Sequence, residues 1–162
     1  MTGVKSIKTR IGTFTLEGNY LSAESEKTLK DEIFFQRALQ VYLNTIPAIG
    51  GAGIFYGQDK AGDTIGDVLY WSDFMTSDTE TLTGNISTLY LLSLQDLSEG
   101  PLVIEVPPGR ILGHIDNVYQ QVITDIGKKG PYQGEGGIFL ILPPGYDGEI
   151  PEGYFIAQSD SM

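Results

Sequence analysis

His114-Ile115-Asp116 is where the chain's single imidazole stands two residues from a carboxylate. On an extended strand that spacing puts both side chains on one face, where they can offer two ligands to a metal or an imidazole steered by an acid. The run HIDNVYQQVITD alternates in polarity. It directs His114, Asp116, Val118, Gln120 and Val122 to one side and Ile115, Asn117, Tyr119, Gln121, Ile123 and Asp125 to the other. With no second histidine, a metal would have to draw on Asp or Glu from other strands, so a hydrogen-bonded structural pair is the plainer expectation. His114, Asp116 and Asp125 are the catalytic candidates, no metal set is assigned, and no cofactor is implied. Asp73, Glu105, Asp116 and Asp125 lie in or beside predicted strands, where two carboxylates about 5–10 Å apart could work as acid and base.

Other patterns carry less. Asn85-Ile86-Ser87 fits a glycosylation sequon, which arises often by chance. Gly51-x-Gly53-x-x-x-Gly57 and Gly134-x-Gly136-Gly137 lack both the Lys-Ser/Thr of a phosphate loop and dinucleotide-binding spacing, so they read as turns. Trp71 and tyrosines such as Tyr70, Tyr90, Tyr119 and Tyr132 could form a sugar-stacking row, although aromatics on strands mostly pack inward. In Val68-Leu69-Tyr70-Trp71-Ser72 the alternation sets Trp71 beside Leu69, which predicts a core indole.

Composition removes much of the remaining chemistry. The 162 residues contain no cysteine, which excludes disulfides, thiolate nucleophiles, iron–sulfur clusters and Cys-rich zinc sites. The formal charge is −11, unfavourable for a nucleic-acid partner. It is uneven: residues 1–60 sum to +1, and residues 61–162 sum to −12, with Arg110, Lys128 and Lys129 their only basic side chains. No run reaches the ~18 consecutive apolar residues of a bilayer span, so no membrane span is expected. Lys5, Lys8 and Arg10 precede no apolar segment of signal-peptide type. The expected location is inside the cell, unless a leader lies outside this sequence.

The elements that would position these residues fall in two stretches of one expected domain, 1–162. Between Ser22 and Ile46, a capping serine, Glu24 and Glu26 near the positive helix end, and Leu29, Ile33, Ala38, Val41, Tyr42 and Ile46 at three- and four-residue spacing predict a helix. Phe34, Phe35, Leu39 and Leu43 widen its apolar face, which predicts burial on most sides or a break near Asp31. Pro47 is read as the stop, and the glycine-rich stretch Ile49–Asp67 as loop. The β-rich part, 68–160, is punctuated by Gly, Pro, Asp and Ser about every ten residues. Strands are predicted near Val68–Trp71, Thr81–Thr83, Thr88–Leu94, Leu102–Val106, Ile111–Ile123, Gly137–Leu142 and Gly153–Gln158. The fold class is α+β or mainly β: an antiparallel β-sandwich or jelly-roll-like domain with an N-terminal helical segment.

Several ordered motifs carry a resemblance. GDVLYWSD (66–73), LTGNISTLY (82–90), DLSEGPLVIEVPPG (96–109), TDIG (124–127) and GEGGIFLILPPGYDGEIPEGYF (134–155), with QRALQVYLNTIP (36–47) ahead of them, resemble the bacterial family called domain of unknown function 1254. The likeness starts near Thr9-Arg10-Ile11-Gly12 and runs almost to the C-terminus. It implies a β-sandwich or jelly-roll, no established reaction, and usually a second β-rich domain, domain of unknown function 1214, where this chain stops at Met162. Where the family more often has Asp, this chain has Ser87. Within that pattern Asn85, Thr88 and Tyr90, together with Tyr119, are the candidates for ligand contact. Three classes of function are therefore expected: a non-catalytic binding or assembly module, contacting a second β-rich domain or other copies; a carboxylate-dependent hydrolase or lyase on a small neutral or cationic substrate; and a carbohydrate-binding module.

Overall fold

Ser22 starts the long helix as its spacing predicts: its Oγ accepts the Ser25 N–H at 3.3 Å, satisfying one of the unpaired amides of the first turn. The computed structural model describes residues 5–81 and 83–162. Ahead of the helix lies a three-stranded antiparallel sheet, β1 (Lys5–Thr9), β2 (Gly12–Glu17) and β3 (Tyr20–Leu21), in that order. Thr9 pairs with Gly12 and Glu17 with Tyr20, so each hairpin turns on two residues. Phe14 is buried, and the Thr15 N–H donates to Ser25 Oγ at 2.8 Å, fastening β2 to the first helical turn.

The helix α1 (Ala23–Ala61) has 39 residues, roughly 58 Å at 1.5 Å per residue. This corrects two expectations, a stop at Pro47 and a loop over Ile49–Asp67. A proline inside a helix removes one hydrogen bond and costs about 3 kcal/mol, which tertiary contacts can offset. Here Gln120 Nε2 donates to the Pro47 carbonyl at 2.9 Å, and the Val118 carbonyl lies where a side chain on Gly51 would stand. Burial of α1 on most sides is also corrected. Among its described residues Ser25 is the buried one, and the apolar side chains face outward.

By its internal contacts the chain divides into two compact units, the first ending at Ile46 and the second running from Pro47 to Met162. The second holds β4 (Val68–Tyr70), β5 (Leu91–Ser93), β6 (Leu102–Val106), β7 (Leu112–Asp116), β8 (Val122–Gly127), β9 (Gly137–Leu142) and β10 (Phe155–Gln158). These form the sheets β10-β9-β6, β4-β5 and β7-β8. The architecture is α+β, with small sheets. Every pair is antiparallel except β9 with β10, which run parallel with Phe139 beside Phe155. Residues 143–154 make that crossover without a helix, since about a dozen residues suffice for it.

β9, GIFLIL, is the middle strand of its sheet, which is why it reads as a continuous apolar run. Phe139 is fully buried, and Ile141, Leu97, Val106, Tyr132 and Ala157 close around it. Tyr132, Phe139 and Phe155 stack with ring centroids 5.4 to 5.8 Å apart. The Gly127 N–H donates to the Tyr132 hydroxyl at 2.6 Å, tying the end of β8 to this cluster. Leu102–Val106 and Gly137–Leu142 form strands as predicted. The stretch Ile111–Ile123 does not stay one strand: it turns after Asp116 into the β7–β8 hairpin. No strand forms at Thr81 or Thr83, and Leu82 is outside the described residues.

Candidate functional site

The β7–β8 hairpin carries the catalytic candidates. Its turn is built by Asn117, whose Oδ1 accepts the N–H groups of Tyr119 (2.9 Å) and Gln121 (3.1 Å) while Gln120 takes a left-handed φ of 58°. His114 and Asp116 lie on one face of β7, with Nε2 3.7 Å from the Asp116 carboxylate, too long for a hydrogen bond. The hairpin also sets Asp125 directly across from His114, on the same face. That corrects the single-strand alternation, which sent Asp125 to the other side. Both members of the His114–Asp116 pair are exposed, 52% and 40% by side chain, and with the long separation this corrects the expected hydrogen-bonded pair. Among the described residues no three His, Cys, Asp or Glu side chains gather to hold a metal ion.

The Asn85 group is a turn that satisfies itself. Asn85 Oδ1 accepts the Ser87 N–H (2.7 Å), the Ser87 hydroxyl (2.8 Å) and the Thr88 N–H (3.2 Å), and its Nδ2 donates to the Tyr90 hydroxyl (3.3 Å). Thr88 is exposed, and Tyr90 meets Trp71 edge-on at 6.5 Å. Trp71 is half-buried, not a core residue as predicted, and lies just past the end of β4 at Tyr70. Tyr119 stands on the distant hairpin turn and joins none of these contacts among the described residues.

Of the four carboxylate candidates, the hairpin brings Asp116 and Asp125 to one exposed face, beside His114. Asp73 and Glu105 are exposed, and neither lines either of two open concavities. One, about 550 Å³, lies by the end of α1 between Tyr56, Asp59, Asp63 and Leu94. The other, about 430 Å³, has Arg110 and Lys128 on its rim with Ile111 and Leu112. The perturbed carboxylates are Glu26, Asp67 and Asp96, all held below the usual range. Glu26 is lowered first by its Lys30 partner, and Asp67 and Asp96 by backbone N–H groups of Thr64 and Ser98.

What the sequence read as a buried face is the open surface of α1. Between Ile33 and Tyr56, eleven large apolar side chains are exposed. No charged residue occurs from 38 to 58, and by length and composition alone α1 is long and apolar enough to cross a membrane.

Fold and site thus define an α+β chain with an acidic β-rich part, dispersed polar candidates, and one long helix carrying its exposed apolar surface. The chain belongs to the family described as protein of unknown function (DUF1254), whose model matches residues 65–162. The matched range holds the motifs from GDVLYWSD onward, whereas Thr9–Gly12 and QRALQVYLNTIP precede it. A search of curated proteins finds no match.

Proposed function

We propose that this chain is a binding and assembly module, non-catalytic on its own, whose working surface is α1. The observation that carries the reading is the eleven exposed apolar side chains on one helix. Monomers rarely leave more than a few hundred Å² of contiguous apolar surface open, and larger patches mark contacts. A second β-rich domain or another copy of the chain would cover it. Protein is favoured over lipid by the contacts at the middle of α1. Gln120 bonds the Pro47 carbonyl, and the hairpin turn with Asn117 and Gln121 lies against Gly51. In a bilayer that polar turn would sit in hydrocarbon.

Sedimentation velocity at tens of micromolar, with uptake of the apolar dye bis-ANS and flotation with phosphatidylcholine vesicles, tests this. Assembly, or a monomer that takes up dye, without flotation is expected. A monomer that binds no dye, or one that floats with the vesicles, overturns it.

A further inference from the structure

Along α1, Phe35, Leu39, Tyr42, Ile46, Ile49 and Tyr56 are all exposed. With exposed Gly53 between the last two, their spacing alternates four and three residues through three heptads. That 3.5-residue period is the seam of a left-handed helix pair, in which each side chain inserts between four of the facing helix. We infer that this stripe is the contact with a second copy of the chain, helix against helix; the inference rests on the docking role proposed for α1 and names its occupant.

Three further observations support it. First, the chain's own hairpin turn meets the middle of α1 mainly on another side, with Gln120 reaching Gly50 nearer the stripe and Tyr56 at the stripe's end also lining the concavity with Leu94. Val118 meets Gly51, which stands two residues, about 200° around the helix, from both Ile49 and Gly53. Second, the area suffices. Phe35, Tyr42 and Tyr56 are each about two thirds exposed, so at roughly 200 Å² per ring side chain they offer about 400 Å² per copy. Leu39, Ile46 and Ile49 add enough to carry the two copies past the roughly 1,000 Å² that a specific interface needs. Third, charge permits approach. Two chains of −11 repel, but the excess lies in residues 61–162, whereas 38–58 hold no charge. Gly53, lacking a side chain, lets a large residue of the facing helix seat against the backbone.

The absence of cysteine makes the test direct. Ile46, near the middle of the stripe, should self-crosslink under mild oxidation as Ile46→Cys whether the helices run parallel or antiparallel. Val41→Cys, exposed on another face, should not. Wild type should sediment as a dimer, and Ile46→Glu should weaken it at least ~30-fold without altering Trp71 fluorescence, its unfolding curve matching that of wild type diluted to monomer. A dimer that crosslinks equally at Val41 and Ile46, or that survives Ile46→Glu, overturns the stripe. A monomer that still takes up bis-ANS overturns the second copy while leaving the docking role intact; one that takes up none overturns both.

Discussion

Replacing Tyr132 by Phe isolates one hydrogen bond at the centre of the β-rich unit. The ring is kept, so its contacts with Phe139 and Phe155 at 5.4 and 5.8 Å survive, while the hydroxyl that accepts the Gly127 N–H is lost. Gly127 is buried and cannot shift freely. Its φ is +71°, and a Cβ there would overlap the Ile111 carbonyl, so the backbone is pinned between two strands. A buried amide left without a partner costs about 1–3 kcal/mol, and about 2 kcal/mol is expected here. Tyr132→Ala, which also removes the stacked ring, should cost about 3–5 kcal/mol. Urea unfolding followed by Trp71 fluorescence reads both. With a slope near ~2 kcal/mol/M, Tyr132→Phe should lower the midpoint by about 1 M with the slope unchanged. A shift under ~0.2 M would show that water reaches the Gly127 N–H, and a loss equal to that of Tyr132→Ala would show that the hydroxyl organises the ring cluster itself.

Three further outcomes are expected. Asp116→Ala should cost less than about 1 kcal/mol, because its partner His114 is 3.7 Å away and both are exposed, and a divalent metal should leave the melting temperature unmoved in wild type and His114→Ala alike. The single tryptophan should emit between buried and solvated wavelengths and quench partly with iodide, in keeping with a half-buried indole; the fully solvated wavelength, shifting blue on addition of an oligosaccharide, would restore the carbohydrate-binding reading. The Asp67 carboxylate accepts the Thr64 N–H (2.8 Å) and hydroxyl (2.9 Å), which lowers its pKa, so its stabilisation is complete above about pH 4 and lost as pH falls through the lower folded value. The melting-temperature gap between wild type and Asp67→Asn should therefore narrow on acidification toward pH 2, and a gap constant from pH 6 to pH 2 would refute that role.

Some of this architecture was plain in the chain and some was not, for reasons that lie in particular residues. β6 and β9 were legible because each ends at Pro-Pro-Gly; β9, the central strand, is apolar throughout, while β6 at the edge alternates, with Glu105 exposed. The β7–β8 turn was hidden because no glycine or proline marks it. Asn117 makes it with side-chain hydrogen bonds and Gln120 with a left-handed backbone, and in sequence both fit the alternation of a longer strand. That turn decides where Asp125 goes, so the pairing of His114 with Asp116 could be read locally and the placing of Asp125 could not. The N-terminal hairpins did carry a signal, alternation around Gly18-Asn19, which a search for longer runs passes over. Pro47 misled because its local cost was set against local propensity alone, whereas Gln120, seventy-three residues on, bonds its carbonyl. An apolar helix face predicts burial without saying by what. Here the sequence pattern was right about the face and wrong about the cover.

The placement of polar and apolar groups bears on what kind of function the chain can support. A general acid works near neutral pH when burial or a like charge raises its pKa, and strong electrostatic catalysis needs water excluded. Glu26, Asp67 and Asp96 move the other way, held ionised by Lys30 and by the amides of Thr64 and Ser98. His114 and Asp116 stand in solvent, and Asn85 spends its acceptor on its own turn. On α1 the relation is reversed, with costly apolar area open to water and few polar groups to hold it there. Exposed apolar area at ~25 cal/mol per Å² is stabilised when something covers it. About 400 Å² from three aromatic side chains corresponds to roughly 10 kcal/mol before the entropy of association is subtracted, more than the exposed pairs of the β-rich unit could contribute together. On the proposed docking role, substitutions along Phe35–Tyr56 should alter the chain's associations before any change at His114, Asp116 or Asn85 does.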